Sequence, residues 1–339
     1  MLAKRADADP NARTRDGRTA LWTACYHGHV EAAAALVANG ADPSVPDASG
    51  RTPLLAACAT GSGTCARFLL SGACDMPRRV DAEAREASAG CSPLFAACVD
   101  GDASTVTSLL CAGAKVDAEN KHGRTPLMAA AMCAHADVVL ALMCRGADPN
   151  RADEGGETAL HLAAANIYAG DDDARGPGCR QIVEMLAKRA DADPNARTRD
   201  GRTALWTACY HGHVEAAAAL VANGADPSVP DASGRTPLLA ACATGSGTCA
   251  RFLLSGACDM PRRVDAEARE ASAGCSPLFA ACVDGDASTV TSLLCAGAKV
   301  DAENKHGRTP LMAAAMCAHA DVVLALMCRG ADPNRADEG

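Results

Sequence analysis

The stretch GRTALWTACYHGHVEAAAALVANGADPSVPDAS, residues 17–49, holds the signals that decide the fold. A short apolar run follows Thr-Ala-Leu and stops at Gly28, a residue that readily takes the left-handed conformation of a helix end. A second short run, rich in alanine, ends four residues after Leu36 at Gly40, and a turn rich in Pro, Asp and Ser comes next. The stretch therefore predicts helix, turn, helix, glycine cap and an extended turn.

The same pattern returns with a basic period of 33 residues, and the spacing of its first glycine defines nine repeats. Five lie in 17–200, at 17–49, 50–89, 90–122, 123–155 and 156–200, and four lie in 201–339, at 201–233, 234–273, 274–306 and 307–339. Insertions of 7 and 12 residues lengthen the second and fifth repeats, and residues 1–16 form a partial repeat. Because residues 1–155 reappear unchanged as 185–339, the last four repeats duplicate 17–155, so each site in the copied part exists twice.

Helix starts are marked by a hydroxyl residue before proline, as in Thr52-Pro53, Ser92-Pro93 and Thr125-Pro126. The hydroxyl can cap the helix, and proline costs little at the first helical position because its missing N–H has no partner there. One pair of short helices cannot bury an apolar face alone, whereas stacked pairs share a continuous core. The pattern predicts an all-α repeat solenoid of helix-turn-helix units joined by β-turn or hairpin connections.

Composition narrows the function classes. A net charge of −9 and a pI near 5.5 argue against nucleic-acid partners, and no stretch has the length and apolarity for membrane insertion or for a signal peptide. We expect a cytoplasmic or nuclear, reducing location. Among the 19 cysteines, Cys25, Cys58 and Cys98 recur at one helical position, which favours buried free thiols over a disulfide framework.

These motifs resemble the ankyrin repeat family, whose signature is Gly-x-Thr-Pro-Leu-His-x-Ala-Ala, a Gly-His turn and a Leu-Leu-x-x-Gly-Ala-Asp ending. GETALHLAA at 156–164 matches the first part, and Gly28-His29 with NGADPS matches the rest. The resemblance covers nearly the whole chain. It implies a protein-binding module rather than an enzyme.

The chain departs from that signature at identifiable positions. The signature histidine is present only as His161 and is replaced in the other repeats of the unit by Trp22, Leu55, Phe95 and Met128. We expect the hydrogen bonds of that histidine to be missing there, with apolar contacts in their place.

Two turn positions also lack glycine. Asp191 replaces the glycine that ends the fifth repeat, and aspartate tolerates the left-handed conformation. Ala134 stands at a turn glycine, and since alanine tolerates that conformation poorly, we expect an irregular turn.

The sequence offers only weak candidates for a catalytic or metal site. Cys25 and His27 could form a nucleophile and base, but residues two apart on a helix face different directions. Cys133, His135 and Cys144 could bind zinc, yet they lack a Cys-x-x-Cys spacing, and buried thiols are the more common explanation. No glycine-rich phosphate loop with its lysine occurs. The sequence predicts no enzyme activity, no cofactor and no small-molecule ligand.

The insertions offer two further candidates. Asp171 to Asp173 lie in the 12-residue insertion without the spacing of a calcium loop, so a solvated loop is the simpler reading. The 7-residue insertion around Met76 to Arg79 lengthens the connection into the third repeat, either as a partner-contacting finger or as a tolerated surface loop.

The family resemblance implies partner binding along a concave side formed by the turn tips and the exposed faces of the first helices. Carried onto this chain, the candidate positions are Arg15, Asp16, Arg18, Tyr26, His27, Lys121, His122, Arg124, Met132 and Cys133, with Arg199, Asp200, Arg202, Tyr210, His211, Lys305, His306 and Arg308 in the duplicate. An ordinary polar rim is the competing explanation for any one of them. The resemblance also implies that Asn150 and Asn334 are candidate substrates for asparaginyl hydroxylation.

The function predicted is a non-catalytic scaffold that binds partner proteins, with two identical grooves. The alternative is the targeting arm of a larger enzyme, of kinase or ubiquitin ligase type, whose catalytic domain is not in this chain. Neither end of the sequence has an obvious polar capping repeat, so we expect a fragment of a longer protein.

Overall fold

The chain divides into two compact units, residues 1–154 and 155–339. Helices and turns make up both units, and no β-strand occurs within the stretches that are described. The structure is a computed structural model that describes residues 9–72, 80–165, 176–189, 191–256 and 264–336.

In its described part, the first unit has four pairs of short helices, one pair for each predicted repeat. The odd-numbered helix is the first of its pair and the even-numbered helix is the second. In chain order they are α1 (Ala20–Tyr26), α2 (Val30–Ala38), α3 (Pro53–Ala59), α4 (Gly63–Ser71), α5 (Pro93–Asp100), α6 (Ala103–Cys111), α7 (Pro126–Met132) and α8 (Ala136–Cys144).

The second unit has five such pairs in its described part. They are α9 (Ala159–Ala165), α10 (Gly176–Ala187), α11 (Ala204–His211), α12 (Val214–Ala222), α13 (Pro237–Ala243), α14 (Gly247–Ser255), α15 (Pro277–Asp284), α16 (Ala287–Cys295), α17 (Pro310–Met316) and α18 (Ala320–Cys328).

The predicted hydroxyl caps start the first helices. Thr52 has an extended backbone, and its Oγ1 accepts the backbone N–H of Leu55 at 3.3 Å, with Pro53 at the first helical position. Thr19 lacks a following proline but accepts the N–H of Trp22 in the same way at 3.1 Å. Because replacing such a cap with alanine typically costs about 1 kcal/mol, these residues fix where each repeat begins.

The turn at Ala134 is regular, so the expectation of an irregular turn is wrong. Ala134 takes the left-handed conformation itself, with φ of 60°. The N–H of His135 then donates to the carbonyl of Ala130 at 3.0 Å. The first repeat has the same bond from His29 to Ala24 at 2.9 Å. The surrounding helices therefore impose the turn on a residue that is strained by it.

The expected loss of the signature histidine's hydrogen bonds is also wrong for tryptophan. His161 Nε2 lies 3.1 Å from the carbonyl oxygen of Arg202 in the next turn. In the first repeat Trp22 Nε1 donates to the equivalent carbonyl, that of Arg51, at 2.9 Å. The Met128 sulfur accepts the N–H of its own N-cap residue at 3.4 Å, where histidine would use Nδ1. Indole N–H and thioether sulfur thus replace imidazole atoms.

Apolar side chains at one recurring position pack the first helices against one another. In the first unit α1 packs on α3, α3 on α5 and α5 on α7, and the second helices form a parallel row. Leu21, Leu54, Leu94 and Leu127 are fully buried in this arrangement. Each such burial contributes roughly 2 kcal/mol, so the stability of a repeat depends on its neighbours. The second unit repeats the pattern from α9 to α18.

Backbone hydrogen bonds link the turn tips of successive repeats. The N–H of Ala48 donates to the carbonyl of Asp16 at 2.9 Å, and the N–H of Lys121 donates to that of Ala89 at 2.9 Å. In the second unit Ala232 donates to Asp200 in the same way at 2.8 Å. These bonds hold the tips in line along one edge of each unit.

Part of the extra length between the second and third repeats lies in the turn tip that leads into the third repeat. A regular tip closes with a bond from Asp47 N–H to the Arg51 carbonyl, four residues on, at 2.9 Å. After the insertion, Glu86 N–H donates to the Cys91 carbonyl, five residues on, at 3.2 Å. That tip is therefore one residue longer than the others. Residues 76–79 lie outside the described residues.

Candidate partner-binding surface

An aromatic stack rises from the first turn tip of the first unit. The guanidinium of Arg18 lies 4.6 Å from the Trp22 ring centroid, and Tyr26, one helical turn further, stacks on Trp22 at 5.1 Å with an interplanar angle of 13°. His27 meets Tyr26 edge-on at 5.0 Å, and His29 follows at 6.0 Å. We call Arg18, Trp22, Tyr26 and His27 the aromatic stack. Trp22 and Tyr26 share a face of α1 because they are four residues apart, and Arg18 precedes that helix.

The second unit contains the same arrangement. Arg202 lies 4.5 Å from the Trp206 ring, Tyr210 stacks on that ring at 5.1 Å, and His211 meets Tyr210 edge-on at 5.1 Å. Burial lowers the pKa of His211, and the neighbouring charges of His213 and Arg202 lower it further. The lowered pKa favours the uncharged imidazole of His211, so Arg202 is the charged member of this stack.

Accessibility differs sharply along the stack. Trp22 is only 1% exposed, whereas Tyr26 is 37% exposed and Tyr210 is 40% exposed. The indole is thus a buried support, and the arginine and tyrosine form the surface. The tip residues Arg15 and Asp16 are exposed beside it.

The arginines along the tips differ in their partners. Arg51 Nε forms an ion pair with the buried carboxylate of Asp47 at 3.2 Å, and its guanidinium lies 5.8 Å from the Trp22 ring centroid. Arg18 has no ion pair within the described residues, and its buried Nε has no hydrogen-bond acceptor. Arg202 Nε is in the same state in the second unit. A buried donor without an acceptor is uncommon in native proteins.

The second predicted group of cations is held more firmly. Arg124 Nε pairs with Asp153 at 3.1 Å, and its Nη1 lies 3.7 Å from the Met132 sulfur. Lys121 Nζ donates to the carbonyl of Ala87. His122 is exposed, and its backbone carbonyl continues the ladder of tip bonds.

The duplicate cations in the second unit are partly constrained as well. Lys305 Nζ donates to the carbonyl of Ala271, while Lys305, His306 and Arg308 are exposed. Arg199 is exposed, and its backbone N–H takes part in the tip ladder by donating to the Gly155 carbonyl at 2.9 Å.

An apolar stripe connects the two groups in the first unit, at the position two residues before each turn. It consists of Tyr26, Ala59, Val99 and Met132 in successive repeats, and Val99 is 42% exposed. The hydroxyl of Thr60 donates to the Tyr26 carbonyl at 2.9 Å, which ties the first two repeats together at this level. Small residues in the middle of the stripe leave the Tyr26 ring accessible.

The structure argues against the nucleophile candidate. Cys25 is fully buried, and burial together with the neighbouring Cys65 raises the pKa of its thiol to about 12. His27 is exposed on another face of the helix end. A buried protonated thiol cannot act as a nucleophile on a solvent-borne substrate. Cys58 and Cys98 are buried free thiols too, as predicted.

The metal candidates do not form a site. Within the described part of the chain, no three His, Cys, Asp or Glu side chains come together as ligands, and Cys133, His135 and Cys144 are no exception. His135 Nε2 instead lies 3.0 Å from the carbonyl oxygen of Val99, where it links two repeats. Asp171 to Asp173 lie outside the described residues.

The remaining predictions concern the surface. Asn150 and Asn334 are exposed, and each backbone N–H donates to the aspartate two residues earlier at 2.9 Å.

The sequence prediction does not include Arg51, although it stands directly after a turn glycine, as Arg18 does. None of the helices in the described stretches is both long and apolar enough to cross a membrane.

Comparisons with known proteins agree on the fold. A family model described as "Ankyrin repeats (3 copies)" matches residues 1–80, 77–153, 94–175, 172–264 and 261–337. A solved structure titled "Crystal structure of human ASB11 ankyrin repeat domain" is 24% identical, with a TM-score of 0.58, and the match covers 72% of this chain and 100% of that one. At that identity the likeness concerns the fold alone. No curated protein matches.

Proposed function

The chain belongs to the ankyrin repeat family, and from this premise we propose that it is a non-catalytic scaffold that binds partner proteins on the surface formed by its turn tips and first helices. Ankyrin repeats are generally protein-protein interaction modules. The observation that carries the proposal is the aromatic stack, because it presents an exposed tyrosine and an arginine without an ion pair on a rigid support.

Tyrosine and arginine are the residue types enriched at the energetic centres of protein interfaces. Their preorganisation matters as much as their type. Tyr26 is held against Trp22, and its helix is tied to the next repeat through Thr60, so little side-chain freedom is lost on binding. The same support exists around Tyr210.

Duplication gives the scaffold two equivalent sites. A partner that carries two copies of a recognised segment gains from effective concentration without any new contact, provided that it can span both sites. The alternative of a targeting arm for a larger enzyme uses the same surface and differs only in what else is attached.

Affinity capture from native extract tests the proposal. The test variant carries Tyr26→Ala, His27→Ala, Tyr210→Ala and His211→Ala. The matched control carries Leu140→Ala and Leu324→Ala, which remove side chains that are 53% and 65% exposed on second helices. We expect partners to be lost from the test variant only, with circular dichroism and melting unchanged. Equal capture by both variants would refute the surface assignment, and a catalytic subunit among the lost partners would favour the targeting-arm alternative.

A modification site is a second proposal. Asn150 and Asn334 stand in identical, exposed turns, and the geometry of those turns leaves them accessible to an asparaginyl hydroxylase. Mass spectrometry of the peptide LMCRGADPN from cells with the hydroxylase should show the gain of one oxygen atom. An unmodified peptide from such cells would contradict this proposal and would leave the scaffold proposal untouched.

A further inference from the structure

We propose that each aromatic stack is the subsite for a carboxylate side chain of the partner, an acidic residue followed by apolar residues in an extended peptide. The inference rests on the proposed scaffold function and specifies the chemistry of what is bound. The carboxylate would be received by Arg18 in the first unit and by Arg202 in the second. The apolar residues would follow the stripe that begins at Tyr26.

The state of Arg18 points to an anion. Its guanidinium lies 4.6 Å from the Trp22 ring, and no carboxylate pairs with it within the described residues. Its Nε is buried without an acceptor, so a partner's carboxylate would bind the terminal nitrogens of the guanidinium. Arg51, on the same indole, already has Asp47 as its partner. A guanidinium presents a fork of donors that matches a carboxylate, and such charge-assisted bonds are the strong ones in interfaces.

Charge complementarity makes a carboxylate the fitting occupant. The chain as a whole carries a net charge of −9, so its surface repels acidic peptides in general. The stack is a local exception, because the guanidiniums of Arg18 and Arg51 lie 4.6 and 5.8 Å from the Trp22 ring centroid, and within the described residues only Arg51 has a carboxylate partner. In the second unit the guanidiniums of Arg202 and Arg235 lie 4.5 and 5.7 Å from the Trp206 ring centroid, and Arg235 is the one that pairs with a carboxylate, that of Asp231.

The apolar part of the specificity follows from what lies beside the stack. Tyr26 is 37% exposed and Val99 is 42% exposed, whereas the Thr60 hydroxyl between them already donates to the Tyr26 carbonyl. The stripe therefore offers ring and aliphatic surface with few free polar groups. Apolar side chains gain most from such a surface, and an extended segment can reach successive repeats along it.

Titration calorimetry with synthetic peptides tests the inference. Four peptides share one scaffold with a central leucine and carry Glu, Gln, Lys or phosphoserine before it. Trp22 and Trp206 are the only tryptophans in the chain, and each supports one subsite, so intrinsic fluorescence gives a second readout. We expect two glutamyl peptides to bind per chain. The glutaminyl peptide should bind about 10- to 100-fold more weakly, and added salt should weaken only the charged interaction.

Arginine variants assign the sites. Arg18→Met should leave one peptide bound per chain, and Arg18→Met with Arg202→Met should leave none. The matched control, Arg145→Met with Arg329→Met, removes the same charge at the ends of second helices and should keep both sites. Arg18→Lys with Arg202→Lys, which keeps the charge but loses the fork, should bind with intermediate affinity and guards against a folding defect in the Met variants.

Four results would overturn the inference. Equal binding of the Glu and Gln peptides would remove the carboxylate from the recognition, and so would two sites retained in the double Met variant. Binding of the phosphoserine peptide alone would assign the subsite to phosphate instead. If no peptide binds while the test variant of the capture experiment still loses its partners, the inference is wrong and the scaffold function stands.

Discussion

The substitution Trp22→Phe separates the two tasks of this residue, and we expect it to destabilise the first unit by about 2 kcal/mol. Phenylalanine keeps a ring under Arg18 but loses the indole N–H that donates to the Arg51 carbonyl at 2.9 Å. That carbonyl still accepts the N–H of Asp47 at 2.9 Å, so it is not left without a partner.

The magnitude follows from these contacts. Because the acceptor stays satisfied, the lost bond costs only its net value, about 1 kcal/mol. The indole is 1% exposed, so the smaller ring leaves a void where neighbouring side chains lose contacts, and this adds about 1 kcal/mol. Tyr26→Phe is the control. It removes a hydroxyl from a partly exposed ring and should change stability by less than about 0.5 kcal/mol.

Urea unfolding followed by far-ultraviolet circular dichroism measures the change. Trp206→Phe repeats the experiment in the second unit, where Trp206 Nε1 donates to the Arg235 carbonyl at 3.0 Å. In each variant the remaining tryptophan reports the unchanged unit by fluorescence. If both variants unfold at the wild-type midpoint with the wild-type slope, the indole bond does not stabilise the repeat, and its equivalence to the histidine bond is refuted.

Three further predictions concern single positions. Ala134→Gly should stabilise the protein by about 0.5 to 1 kcal/mol in thermal or urea unfolding, because glycine adopts the φ of 60° without strain, and a loss of stability would contradict the left-handed turn. The pKa of His211, measured by NMR, should lie below 6.5, because burial and then the charge of His213 lower it. The unfolded chain therefore binds more protons than the folded chain. The stability that the neutral His211 contributes above pH 6.5 is lost as the pH falls through the folded pKa. Iodoacetamide at neutral pH should modify exposed Cys111 and spare Cys25, whose pKa is raised to about 12. Mass spectrometry of the native protein measures this order, and modification of Cys25 before Cys111 would contradict the prediction.

Local chemistry in the sequence was enough to predict the repeat itself. Thr52 before Pro53 marks a helix start, and Gly101 marks a helix end, because each acts on the backbone within a few residues of itself. The turn at Ala134 could not be predicted in this way. Its conformation is imposed by the packing of α7 and α8, and tertiary contacts can hold a residue where its own preference opposes it.

The sequence predicts which residue types lie on the surface but not which of them form ion pairs. Arg18 and Arg124 occupy the same position after a turn glycine, and the sequence treats them alike. In the structure Arg124 is paired with Asp153 in the next turn, whereas Asp47, the equivalent acid for Arg18, pairs with Arg51 of its own turn. Ion pairing between repeats depends on which side chain each neighbouring turn presents, and a motif read within one repeat does not contain that information.

Trp22 joins the fold and the candidate site in one side chain. Its N–H replaces the bond made by the family's histidine, and its ring supplies a platform for Arg18 and Tyr26 that imidazole is too small to provide. Removing it would therefore perturb stability and recognition together, and loss of binding in such a variant would not locate the site. Substitutions at Arg18 and Tyr26 leave the indole and its hydrogen bond in place, so they alter recognition alone. These substitutions can therefore show whether this surface binds the partner.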